Sequence, residues 1–99
     1  MNKLIYDELV FRDFAEIQVY FQERYALEAY FKIRKKIVKA CDGLTGFPES
    51  GTQVKLERYK HYRFLLIGKF YIFYIYRGNV VTIKRIIHTA RDYKKILTE

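Results

Sequence analysis

Apolar positions along this chain recur with two different periods, and the change of period marks where one kind of element gives way to another. Lys3 to Tyr6 is a short apolar run ending at Asp7, which suits a first strand handing over to a helix, with Asp7 as N-cap and Glu8 near the positive helix end. Val10, Phe14, Ile17 and Phe21 then repeat at spacings of four, three and four, one helical face, while Arg12, Asp13, Glu16, Gln18 and Gln22 fall largely elsewhere. From Tyr25 to Cys41 the same period returns: Ala26, Ala29, Tyr30, Ile33, Ile37, Ala40 and Cys41 form a stripe, and Glu28, Lys32, Arg34, Lys35, Lys36 and Lys39 fill the remainder. Only Glu23 and Arg24 are left to join the two, so the helices are expected to fold back on each other as a hairpin laid across a sheet.

Asp42 to Gly51 is the punctuated stretch. Gly43 is expected to cap the second helix, Pro48 to stop it, and Leu44 and Phe47 to tuck against the core. Beyond it the period becomes two. Gln53–Glu57 and Arg63–Ile67 read as short strands, and Gly68-Lys69 as the turn into Phe70–Tyr76, an unbroken run of aromatic and β-branched residues. Both faces of that run are apolar, and as an uncharged edge it would template aggregation, so it belongs in the middle of a sheet. Gly78-Asn79 supplies residues that accept positive φ for a two-residue hairpin turn. In the strand from Val80 to His88, strict alternation places Thr82, Lys84, Ile86 and His88 on one face and Val81, Ile83, Arg85 and Ile87 on the other. Tyr93 to Glu99 has length for one or two helical turns. The expected fold is α+β: an N-terminal helical hairpin packed on a small twisted antiparallel β-sheet, one domain over residues 1–99, with the pairing of the first strand left open.

Composition narrows the class of partner. Ninety-nine residues, 51% of them hydrophobic, suffice for one core and no second. Nineteen Lys and Arg against eleven Asp and Glu give a formal charge of +8, which points to polyanionic surfaces or an acidic protein partner. The one cysteine, Cys41, has no intramolecular partner and no His at metal-ligand spacing, and reads as a small buried thiol. An acidic residue at Asp7 argues against a signal peptide, and no apolar run has the ~18 residues of a membrane span. A cytoplasmic location is expected.

Motif chemistry is absent: no phosphate-binding glycine loop, no zinc-spaced set, no nucleophile elbow. What remains is a basic and phenolic group, His61, Arg63, Lys84, Arg85, His88, Arg91 and Tyr93. Cations of this kind stabilise charge developing on phosphorus, and a His or Tyr beside them can move protons. The same residues would equally serve an acidic partner, or none.

Read in order, Phe47-Pro48-Glu49-Ser50-Gly51, Gly68-Lys69-Phe70-Tyr71-Ile72-Phe73-Tyr74, Val80-Val81-Thr82-Ile83 and Arg85-Ile86-Ile87-His88-Thr89-Ala90-Arg91-Asp92 resemble the toxins of the RelE/ParE superfamily, the growth-arresting halves of bacterial type II toxin–antitoxin pairs. The resemblance implies an antitoxin that wraps the basic face in a hetero-oligomer, and action without metal or other cofactor. It also implies one of two targets: RelE-like toxins cleave mRNA in the ribosome, and ParE-like toxins inhibit DNA gyrase. As a nuclease the chain would use His88 or Tyr93 for proton transfer and Arg63, Arg85 or Arg91 on the phosphate. As an antitoxin-bound toxin it would present Arg63, Lys84, Arg91, Lys32 and Lys36 to acidic side chains. RelE-like nucleases usually carry an arginine where this chain has Tyr71, although Lys55, Arg58, Lys60 and His61 precede it, and His88 is followed by Thr89 rather than Tyr. The Phe47–Gly51 loop, the two long helices and the His88–Asp92 ending look more like ParE. A basic module without toxicity is the remaining alternative.

Overall fold

The structure, a computed structural model, describes residues 2–99. In chain order it contains β1 (Lys3–Tyr6), α1 (Glu8–Arg24), α2 (Leu27–Gly43), β2 (Thr52–Gln53), a 3-10 turn (Glu57–Tyr59), β3 (Tyr62–Ile67), β4 (Phe70–Arg77), β5 (Val80–His88) and α3 (Tyr93–Thr98). The strands lie in the order β1-β5-β4-β3-β2, so the doubly apolar β4 occupies the centre of the sheet. Neighbours pair antiparallel except at one edge, where β1 runs parallel to β5 with Lys3 opposite Val80. The helical hairpin covers one face. On the other, α3 closes a smaller core.

Local chemistry explains most boundaries. The Asp7 carboxylate accepts the Leu9 N–H at 3.0 Å and so caps α1 as expected. Tyr25 and Ala26, two residues later than the sequence suggested, make the turn between helices, Ala26 being extended at φ −139°. Gly43 proves to be the last residue of α2 and not its cap: Leu44 follows with a right-handed φ of −66°, its N–H donated to the Cys41 carbonyl, and its side chain is buried. Phe47 departs from expectation outright, being 75% exposed. The loop it stands on needs no apolar anchor, because the Tyr74 hydroxyl accepts the Gly51 N–H at 2.9 Å and donates to the Pro48 carbonyl at 2.8 Å. The strand expected over Gln53–Glu57 is only Thr52–Gln53, since Val54 turns inward and is buried under α3.

Both β-hairpins turn on one glycine each. Gly68 has φ +58° and Gly78 φ +61°, while Lys69 and Asn79 stay at negative φ, the type II′ pattern with glycine at the first central position. The largest difference from the simple alternation lies in β5. Phe73 faces Arg85 and Tyr74 faces Ile83, so Lys84 is an extra residue in the ladder, a β-bulge. Ile86 therefore joins Val81 and Ile83 in the core beneath α1 and α2, and Ile87 turns to the opposite face with Phe73, Val54, Ile96 and Leu97. One inserted residue divides the strand between two cores.

A Cβ at Gly51 would lie 2.5 Å from the Tyr74 hydroxyl and 2.9 Å from the Phe64 carbonyl. Gly51→Ala is expected to lower stability by about 1–3 kcal/mol in urea unfolding, whereas Gly43→Ala, helical and with nothing within 4 Å, should leave stability unchanged or raise it.

Candidate functional site

The bulge in β5 is held from α1. Asp13 lies on the buried stripe with Val10, Phe14 and Ile17 and is 2% exposed. Its carboxylate accepts the Ile86 N–H, the Arg85 Nε–H and the Arg85 Nη2–H, each at 2.9 Å. A bulge leaves a ladder N–H without a strand partner, and a buried orphan donor costs about 1–3 kcal/mol; here the carboxylate takes the N–H, and the fork of Arg85 supplies the opposite charge that a buried carboxylate requires. That hydrogen bond to Asp13 raises the Arg85 guanidinium further above its already high pKa. The polar-face assignment of Asp13 fails because its spacing, three from Val10 and four from Ile17, places it within the apolar stripe. That spacing was the available signal.

The neighbouring cation is also engaged. Lys84 Nζ donates to Asp7 Oδ2 at 2.9 Å, with both side chains about a quarter exposed. Asp7 titrates below the usual carboxylate range, first because Leu9 N–H bonds it and second because of Lys84, while the bond to Asp7 raises Lys84. Arg63 is spent on the Phe47–Gly51 loop, donating to the Gly51 carbonyl at 2.9 Å and the Glu49 carbonyl at 3.3 Å. Three of the candidate cations thus hold backbone or helix caps in place.

His88 and Arg91 stand elsewhere, at the mouth of a cleft of about 330 Å³ that Asp13, Glu16, Tyr20 and Phe70 also line. The His88 ring meets the edge of Phe70 at 5.2 Å between centroids and Tyr20 at 6.0 Å, and its Nδ1 accepts the Ala90 N–H at 2.9 Å, leaving Nε2 to carry the ring's proton. Arg91 is exposed and makes no ion pair among the described residues. Tyr93 lies across the sheet, 5.2 Å from Tyr71 and 5.2 Å from Phe73 in the second core. Tyr71 itself is edge-on to Phe64 at 5.3 Å, so this position is filled by an aromatic stack. His88 and Tyr93 are therefore separated by the sheet. Lys32 and Lys36 sit on the outer part of α2, exposed and without ion pairs among the described residues; they border a second hollow whose lining also includes Lys69 and Tyr25, which sequence reading had not singled out as site residues.

Among the described residues no cluster of three His, Cys, Asp or Glu could hold a metal, and no helix is long and apolar enough to cross a membrane. What the fold presents is a small α+β platform whose surface carries exposed aromatic rings and unpaired cations. Comparison with known proteins gives this fold a family. Residues 4–93 match the family described as ParE toxin of type II toxin-antitoxin system, parDE, and the chain belongs to that family. Among solved structures, the chromosomal ParDE toxin–antitoxin system from P. aeruginosa superposes with a TM-score of 0.76 at 18% identity, over 89% of this chain and 96% of that one. The RelB-RelE antitoxin-toxin complex from Methanococcus jannaschii gives a TM-score of 0.53 at 16% identity, covering 95% of each chain. At these identities the likeness is one of fold. No curated protein matches the sequence.

Asp13→Ala would strand both the Arg85 guanidinium and the Ile86 N–H, and should cost about 3–5 kcal/mol in chemical unfolding. Asp7→Asn, which keeps a capping oxygen but loses the charge, tests the second pair through pH. Because the folded pKa of Asp7 is depressed, its contribution is present above the unfolded carboxylate pKa and is lost as pH falls through the folded value. The variant should therefore be less stable than the parent at neutral pH, with the difference vanishing in acid.

Proposed function

We propose that the protein is the toxin of a type II toxin–antitoxin pair, that it arrests growth by inhibiting DNA gyrase, and that an acidic antitoxin neutralises it in a hetero-oligomer. One observation supports gyrase inhibition over RNA cleavage: of the five residues assigned to a metal-free ribonuclease, only His88 and Arg91 share a cleft, and the other three are engaged or stand elsewhere. Arg85 is locked to Asp13, Arg63 to the Gly51 and Glu49 carbonyls, and His88 and Tyr93 lie on opposite faces of the sheet. General acid, general base and phosphate-binding cation must converge within hydrogen-bond reach of one phosphorus. Tyr71, packed between Phe64 and Tyr93, adds no cation on that side. Membership in the ParE family agrees with this reading.

The antitoxin follows from surface rather than from chemistry. The two solved structures compared above are a toxin–antitoxin system and an antitoxin–toxin complex. Here Phe11, Val19 and Phe31 stand more than half exposed on the helical hairpin, and Lys32, Lys36 and Arg91 are exposed without ion pairs among the described residues. Exposed apolar groups on a surface with a net excess of unpaired cations fit an amphipathic, acidic partner. Lys84 and Arg63, being committed within the fold, would contribute less to that contact.

Purified gyrase decides the target. The toxin should abolish supercoiling of relaxed plasmid, and an equimolar antitoxin should restore it; full supercoiling activity in the presence of excess toxin would refute the reading. For the partner, Lys36→Ala combined with Arg91→Ala should weaken antitoxin binding roughly tenfold at low salt and flatten its dependence on salt concentration. Undiminished affinity across the salt series would remove the electrostatic contribution.

A further inference from the structure

The second hollow lies where the tip of the helical hairpin meets the β3–β4 turn, and has a volume of about 430 Å³. Two kinds of side chain build it. Tyr20, Phe21 and Tyr25 form an aromatic cluster, with centroid separations of 5.6 Å for Tyr20–Phe21, 6.3 Å for Tyr20–Tyr25 and 5.6 Å for Phe21–Tyr25 and ring planes inclined by 78°, 54° and 43°; Arg24 lies 4.4 Å over Tyr20, and Phe70 and His88 complete the aromatic lining. Opposite stand Lys32 and Lys36, one helical turn apart on α2, and Lys69 from the turn. Gly68 keeps that turn close, since a Cβ there would lie 3.3 Å from Ile33 Cδ1, and its φ of +58° aims the chain so that Lys69 joins the other two amines.

Three features together identify a ligand class. No carboxylate lines the hollow, and none of the three lysines is in an ion pair among the described residues, so three positive charges converge on one space without internal compensation. The lining beside them is aromatic, which simple solubility does not require, and Tyr25 is 66% exposed with a face open to solvent. A volume of this order fits a single ligand of moderate size. Flat rings next to clustered amines are the means by which proteins hold a base and its phosphates, the base stacking and the phosphates drawing the charge.

We propose that this hollow is a nucleotide-binding site: the base stacks on the exposed Tyr25 ring with Tyr20 and Phe21 at its edges, and the phosphates are taken by Lys32, Lys36 and Lys69. The ligand is either a free nucleotide or one unit of a single strand, and both present the same chemistry to these residues. The proposal is independent of the gyrase reading, because none of the residues invoked there against RNA cleavage binds the nucleotide here except at the His88 border.

Isothermal titration of the purified full-length chain with ADP, adenosine, inorganic pyrophosphate and a 5′-phosphorylated oligothymidylate tests it. ADP should bind roughly tenfold or more tightly than either adenosine or pyrophosphate, reflecting stacking added to charge. Tyr25→Ser, at an exposed position, should weaken ADP while leaving pyrophosphate unchanged; Lys69→Ala should weaken both. Oligothymidylate tighter than ADP identifies a strand as the source, and the reverse identifies a free nucleotide. ADP no tighter than pyrophosphate, or ADP binding untouched by both substitutions in variants whose circular dichroism and melting match the parent, overturns the proposal. Supercoiling inhibition measured on the same two variants should be unchanged, which keeps this outcome separate from the gyrase assay.

Discussion

A single buried carboxylate fixes the relation between the helices and the sheet. Asp13 reaches from the second turn of α1 to the one place in β5 where the ladder is interrupted, and there it takes both the orphaned N–H of Ile86 and the fork of Arg85. Each partner is costly without the others. A β-bulge in a central region leaves an unpaired donor, a buried aspartate needs a counter-charge, and a half-buried arginine needs an acceptor of matching geometry. Together they satisfy one another. Because the bulge sends Ile86 under the helices and Ile87 under α3, the same contact also decides which apolar side chains build which core.

That division of labour shapes what the surface can do. The bulge region is rich in cations, yet Lys84 is drawn to the α1 cap and Arg85 to Asp13, and on β3 Arg63 is drawn to the carbonyls of the Phe47–Gly51 loop. Positive charge that a composition count assigns to function is, at these three positions, part of the scaffold. Among the cations left unpaired, Arg91 stands with His88 at the end of β5, and Lys32, Lys36 and Lys69 stand around the aromatic hollow. A basic protein can thus keep a strong external field while its most deeply placed cations serve structure.

Much of the fold was legible because periodicity reports burial directly. Val10, Phe14 and Ile17 mark α1, and Phe70–Tyr76 could only be a central strand. The parts that were not legible depend on contacts between segments far apart in sequence. Nothing local announces that β5 carries an extra residue, so strict alternation misassigned Ile86 and Ile87; nothing near Phe47 says that Tyr74 and Arg63 already hold its loop, so its burial was expected and did not occur. At the candidate site the sequence showed which residue types were present, but not that the sheet separates His88 from Tyr93. Lys69 and Tyr25 were not singled out as site residues because only the fold brings a β-turn to the tip of a helical hairpin.

The account therefore rests on a claim about geometry: of the residues assigned to RNA cleavage only His88 and Arg91 share a cleft, the others being apart or engaged within the fold, and in the proposed function growth arrest proceeds by contact with another target. Mapping of transcript 5′ ends after induction of the toxin tests this most directly. The account predicts an end profile indistinguishable from that of uninduced cells while growth stops. New ends at fixed positions within codons, dependent on ribosome occupancy and lost in His88→Ala or Arg91→Ala, would contradict it.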